Sequence, residues 1–224
     1  MERTIRIGTR KSPLALKQVE EVMDAFKQQG IFLSYEIVGL DTPGDLDKET
    51  AISEVEGSDF FTKDLDEALR DGRIDCAVHS AKDLPDEIPG RLEVAVMTPS
   101  LESADALVSK NHLKFFELPA DSRIGVSSGR RKEQVKRLRP DLRILDIRGT
   151  IEERLKKLDT GEYDAVIIAA VALLRLGLEK RVTEKLDKNI FTPHSLQGRL
   201  AVLVRKGDLL KKIFSILAEE IVHA

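Results

Sequence analysis

The stretch AVHSAKDLP, residues 77–85, sets an ammonium beside a carboxylate, Lys82 and Asp83, directly after an apolar run and ahead of Pro85. A carboxylate next to a lysine in a positive pocket stays ionised, and can steady a developing cation or exchange a proton with a bound amine or pyrrole nitrogen. Lys82 offers a different chemistry, a Schiff base, if it is exposed and its pKa depressed. Arginines stand in similar positions. Arg10 with Ser12 follows TIRIG, Ser128 with Arg130 and Arg131 follows RIGVSS, Arg148 follows LRILDI, and Arg154 lies six residues further on. Guanidinium forks grip carboxylates and phosphates in pairs of hydrogen bonds, so this set, if it converges, makes a pocket for a ligand with several acid groups. Taken singly, an arginine at a helix start is commonly just solvated. His79 reads as a satisfied histidine at the end of a buried strand, and Cys76, the one cysteine, as an inert buried thiol. No metal-ligand motif, phosphate loop or dinucleotide fingerprint occurs.

The elements that must position these side chains alternate between strand-like and helix-like runs, the pattern of an α/β fold with largely parallel sheets. In such sheets ligands bind beyond the carboxyl ends of the strands, where the charged residues above are placed. The 224 residues suit two α/β lobes: residues 1–98 with about 195–224 as lobe one, and 99–194 as lobe two. Residues 41–57, acidic and interrupted by Pro43, Gly44 and Gly57, read as a long exposed loop. Thr150 followed by Glu153 is a capping-box pattern with Gly161 closing the same helix, and Leu210, Ile213, Phe214, Leu217 and Ile221 mark an amphipathic terminal helix. The 36 basic and 39 acidic residues nearly cancel, leaving a net charge of −3 and no general pull toward nucleic acid or anionic lipid. The absence of a membrane-length apolar run, a leader-like start or a cysteine framework sets the expectation of a cytoplasmic protein.

Five segments are recognisable together: IGTRKSPLALKQ (7–18), AVHSAKDLP (77–85), RIGVSSGRRKEQ (123–134), LDIRGTIEERLKKLDTGEYDAVIIA (145–169) and LLRLGLEKRV (173–182). In order and over most of the chain they resemble the porphobilinogen deaminase (hydroxymethylbilane synthase) family. The resemblance implies a transferase of tetrapyrrole synthesis that joins four porphobilinogen units head to tail with loss of ammonia. It implies two periplasmic-binding-protein-like (type II) lobes with a ligand cleft between them. Carried over by position, Asp83 is the catalytic aspartate, with Lys82 beside it. Ser12, Lys82, Ser128, Arg130, Arg131, Arg148 and Arg154 hold the acid groups of the cofactor, Arg10, Arg148, Arg154 and Arg175 those of the substrate and growing chain, and Phe61 is an aromatic near the site. The family's cofactor is a dipyrromethane on a cysteine of a third domain that follows the C-terminal helix. This chain ends about where that domain would begin, so the expectation is a short form without the attachment cysteine, with Cys76 no substitute. Three readings stay open: a deaminase holding its primer without the usual link or taking the domain from another polypeptide, a binder of porphobilinogen or linear tetrapyrroles that does not polymerise them, and a Lys82 Schiff-base enzyme. A partner chain or self-association covering the terminal helix is a further expectation, as is Glu152 and Glu153 weakening Arg154 as an acid-binding group.

Overall fold

The structure is a computed structural model that describes residues 4–47, 50–55 and 57–219. Ile221, assigned above to the terminal helix, and Lys48, Glu49 and Glu56 of the 41–57 segment lie outside the described residues. In chain order the elements are β1 (Ile5–Arg10), α1 (Pro13–Gln28), β2 (Tyr35–Leu40), α2 (Pro43–Leu46), α3 (Ile52–Val55), α4 (Lys63–Arg70), β3 (Cys76–Ser80), β4 (Leu92–Met97) and β5 (Asp105–Ser109). There follow β6 (Arg123–Val126), α5 (Gly129–Leu138), β7 (Arg143–Asp146), α6 (Ile151–Asp159), β8 (Ala165–Ala169), α7 (Ala170–Arg175), β9 (Glu184–Lys185), β10 (Leu200–Arg205), α8 (Leu210–Phe214) and α9 (Ile216–Glu219). They form two compact units, one of Met1–Leu46, Gly57–Leu101 and Gly198–Ala224, the other of Asp47–Glu56 and Glu102–Gln197. Among the described residues no helix is long and apolar enough to cross a membrane.

The first unit is built on a sheet of order β2-β1-β3-β10-β4 and the second on one of order β7-β6-β8-β5-β9. Both are mixed, which corrects the expectation of largely parallel sheets. β1 is parallel to β2 and β3, and β6 to β7 and β8, whereas β10 runs antiparallel to β3 and β4, and β5 to β8 and β9. The cause lies in where the chain re-enters. Leu200 starts β10 beside the end of β4, where its amide donates to Thr98 Oγ1 at 2.9 Å and its carbonyl accepts from Thr98 N at 2.8 Å, so the strand can only run back.

α1 shows how local sequence becomes packing. Ser12 caps it by accepting from Ala15 N at 3.2 Å, Pro13 occupies the first turn where its missing N–H costs nothing, and Ala15, Val19, Val22, Met23 and Phe26 are buried along one stripe. That stripe covers Ile5 and Ile7 of β1 and Cys76 and Val78 of β3. The opposite face of the sheet receives α4, and here Gly8 matters, because a Cβ on it would stand 2.3 Å from Ile74 Cδ1 and 3.1 Å from Leu65 Cδ2. The terminal segment is two short helices, α8 and α9, in place of one continuous helix. Phe214 is fully buried against Phe26, edge to face at 5.4 Å, and Leu217 is buried beside it. The apolar stripe is thus covered largely within its own unit, although Leu209 is 74% exposed.

The 41–57 segment, expected to be a long exposed loop, contains α2 and α3 and buries Thr42 and Gly44. A Cβ on Gly44 would lie 2.2 Å from Phe61 Cε1, so only glycine lets that ring close over α2. Gly44→Ala is expected to cost about 1–3 kcal/mol through overpacking. Denaturant midpoints check this, with part of the loss recovered when Phe61→Leu is added.

Asp66, on the inner side of α4, is 2% exposed. Burial pushes its carboxyl up to about 6, against a hydrogen bond from Thr62 and the charge of Arg70, which pull it down. A carboxyl raised on folding favours the folded state below its unfolded pKa and loses that contribution as pH rises through about 6. Asp66→Asn is therefore expected to gain about 2–3 kcal/mol at pH 8 and almost nothing at pH 4, read as midpoint shifts in urea at the two pH values.

Candidate active site

In the first unit the candidate side chains meet at the carboxyl edge of β1 and β3. Arg10 ends β1, Ser12 caps α1, and Lys82 and Asp83 lie half-buried on a single 3₁₀ turn, Ala81–Asp83, immediately after β3. The turn is anchored on the sheet through Ala81 N, which donates to Arg199 O at 3.0 Å. Phe61 is brought in by the turn ahead of α4, and its ring lies 4.6 Å from the Arg10 guanidinium carbon, a cation–π contact. The Arg10 fork holds Asp45 of α2 through Nε and Nη2. Burial raises the Asp45 carboxyl, but Arg10 and Thr42 outweigh it and hold the group below the usual carboxylate range. His79 is buried as expected, and its Nε2 has no hydrogen-bond partner among the described residues. Burial first, and the charge of Arg10 second, lower it to about 4, so it is neutral at physiological pH. Cys76 is fully buried in the core on the α1 side, and burial pushes its thiol far up, away from reactivity.

In the second unit Ser128 caps α5, accepting from Arg131 N at 3.3 Å, so both candidate serines spend one lone pair on a helix start and keep their O–H as a donor. Arg131 is 5% exposed. Its Nε and Nη2 both donate to Asp105, and Nη2 also donates to Gln197. Arg130 donates to the other oxygen of Asp105 at 2.9 Å and to the carbonyl of Thr192. Burial alone would raise Asp105, yet Arg131, with Gln197 and Arg130, holds its carboxyl at about 2. Arg131 is therefore tied into an internal ion pair with Asp105. Arg148 is 8% exposed and donates to the carbonyl of Asp47, within the segment that joins this unit. Arg154 is aimed by two bonds, Nε to Gly149 O at 2.9 Å and Nη1 to Ser127 Oγ at 2.8 Å. Glu153, next to Arg154 in the chain, completes the capping box, its Oε2 accepting from Thr150 N at 2.8 Å. Arg175 closes α7, a turn and a half beyond the end of β8.

Residues 5–212 match the family described as porphobilinogen deaminase, dipyromethane cofactor binding domain. The chain belongs to the porphobilinogen deaminase family. It is 42% identical over 215 residues to the porphobilinogen deaminase of Xanthomonas axonopodis pv. citri, covering 96% of this chain and 70% of that protein. To the porphobilinogen deaminase of Roseiflexus castenholzii it is 40% identical over 208 residues, 93% of this chain and 69% of the relative. Among solved structures, a periplasmic substrate-binding protein of an ABC transporter from Coxiella burnetii has a TM-score of 0.59 at 17% identity, covering 96% of this chain and 92% of that one. An ancestral cationic amino acid solute-binding protein has a TM-score of 0.56 at 15% identity, over 98% of this chain and 90% of that one. These two bear on fold alone, and the fold is the type II periplasmic-binding-protein-like arrangement expected for a porphobilinogen deaminase.

The sequence reading missed the carboxylates that this porphobilinogen deaminase family member places in its own arginine forks, Asp45 on Arg10 and Asp105 on Arg130 and Arg131. Asp105 carried a signal: it is an acid opening the otherwise apolar strand DALVS, a place where only a paired carboxylate is stable. Asp45 carried none, because it sits in an acidic stretch where nothing singles it out.

Proposed function

We propose that this chain performs the head-to-tail condensation of porphobilinogen, with Asp83 as the group that touches the reacting carbon and nitrogen. The observation that carries this reading is the placement of Lys82 and Asp83 on one short turn at the carboxyl edge of β3, in the same unit as Arg10 and Phe61. In this reading the aminomethyl C–N bond breaks, the nitrogen leaves with an added proton as ammonia, and the resulting azafulvene-like cation is stabilised by the Asp83 carboxylate. The next pyrrole donates its ring electrons to that carbon, and the ring proton is lost. Lys82, Arg10, Ser12, Ser128, Arg130, Arg131, Arg148, Arg154 and Arg175 are the candidates for the acetate and propionate groups.

A dipyrromethane supplies the growing end of the chain when bound. The cationic side chains aimed by Ser127, Gly149 and Asp47 suit its acid groups. Cys76 does not suit a thioether, being fully buried in the core. The primer is then held without this cysteine, by charge and hydrogen bonding, or by a segment beyond it. Arrival of a partner chain and a cytoplasmic setting belong to the same reading. The test is to supply the purified chain with porphobilinogen and a free dipyrromethane and to follow both porphobilinogen loss and ammonia. Equal molar amounts are expected; saturable binding with no ammonia would leave the binding reading in its place, and a borohydride-trapped adduct on Lys82 would favour the Schiff-base reading.

A further inference from the structure

Neither the carried-over roles nor the arginine clusters use His79. Its strand is central, with β1 on one side and β10 on the other. In the β1–β3 register Ile7 faces Cys76 and Gly8 faces Ala77, so two residues further along Arg10 comes level with His79. Thr9 Oγ1, which donates to Val78 O at 3.4 Å, shows the two strands still side by side there. Cys76 and Val78 point into the α1 core, so the alternation of a strand turns Ala77 and His79 to the other face, the one shared by Gly8, Leu65 and Ile74. Phe61 and Asp45 reach Arg10 at the same edge. His79 is 4% exposed, and among the described residues its buried Nε2 has no hydrogen-bond partner. Leaving a buried ring nitrogen unmatched is costly, and a natural chain retains such a group mainly where something else completes it.

We propose that His79 is a specificity-determining residue for the ligand of this edge, its Nε2 accepting the ring N–H of a pyrrole whose acid side chain is taken by Arg10. The pairing follows from complementary chemistry. A neutral imidazole nitrogen is an acceptor that does not attract carboxylates, while the guanidinium beside it does, so together they select a ring that carries both an N–H and an acid. For Nε2 to accept, the proton must sit on Nδ1, and the low affinity of this buried ring for a second proton leaves the imidazole neutral at neutral pH. This inference rests on the pyrrole-binding reading above and adds a contact to it.

The test compares His79→Met, which fills the space without a hydrogen-bonding nitrogen, with His79→Gln, which places an amide oxygen near the position of Nε2. Porphobilinogen affinity is measured by calorimetry and stability by urea unfolding. His79→Met is expected to be as stable as the parent or more so, yet to bind about tenfold more weakly, the size of one hydrogen bond, with His79→Gln recovering most of the loss. In the parent, ¹⁵N spectra should show the His79 Nε2 signal moving on addition of porphobilinogen. Unchanged affinity in a folded His79→Met that still binds, or an unmoved ¹⁵N signal at saturation, overturns the assignment and leaves the pyrrole-binding reading intact. A parent chain that binds no porphobilinogen removes both.

Discussion

Asp105→Ala is expected to lower stability by about 3–5 kcal/mol, enough to bring a domain of ordinary stability close to unfolding at physiological temperature. The cause is the charge it leaves behind. Asp105 is fully buried and accepts from Arg130, Arg131 and Gln197, and Arg131 itself is only 5% exposed. Truncation removes the counter-charge and strands a guanidinium that cannot reach water. The native carboxyl is held near 2, below its unfolded value of 3.8, so its contribution is present above the unfolded pKa and drains away as pH falls through 2. The loss on substitution should therefore be full at pH 7 and smaller in strong acid. Urea unfolding at neutral pH checks the size. Adding Arg131→Met to Asp105→Ala should recover much of the loss, because an apolar pair is often as stable as a buried ion pair. A single-substitution cost below about 1 kcal/mol would mean that the triad behaves like a solvated surface pair.

Asp83→Asn is expected to slow ammonia release by about 10²–10⁴-fold, the range for removing a positioned acid or base. The substitution preserves shape and hydrogen bonding but takes away the negative charge that faces a developing cation. The site's short 3₁₀ turn tolerates the change, because Asp83 lies half-buried on its surface while Ala81 carries the anchoring bond and the burial. Stability should move by no more than a few tenths of a kcal/mol. Initial rates of ammonia release with primer and saturating porphobilinogen measure the effect, and a loss below tenfold would move the chemistry away from this carboxylate.

Much of this was readable from the chain because each signal was local. α6 announced itself through the capping box of Thr150 and Glu153, with Gly161 closing the helix. The charged residues following β1, β3, β6 and β7 were legible as a set because ligand sites in such folds gather at the carboxyl edges of strands. What stayed hidden depends on contacts distant in sequence. Nothing near Arg131 predicts that Asp105, 26 residues away, takes its fork, and the open Nε2 of His79 is a property of the packing around it. The antiparallel course of β10 is likewise set by where the chain re-enters beside Thr98, not by the residues of the strand. The break between α8 and α9 has no signal in the apolar spacing, which continues evenly from Leu210 to Leu217.

Native mass spectrometry of the chain incubated with porphobilinogen and a dipyrromethane primer tests the condensation chemistry most directly. Each step should add the mass of one porphobilinogen less one ammonia, giving a ladder on the chain or in its released product. A ladder spaced by intact porphobilinogen, with ammonia retained in every bound unit, would show binding without condensation and contradict the proposed function.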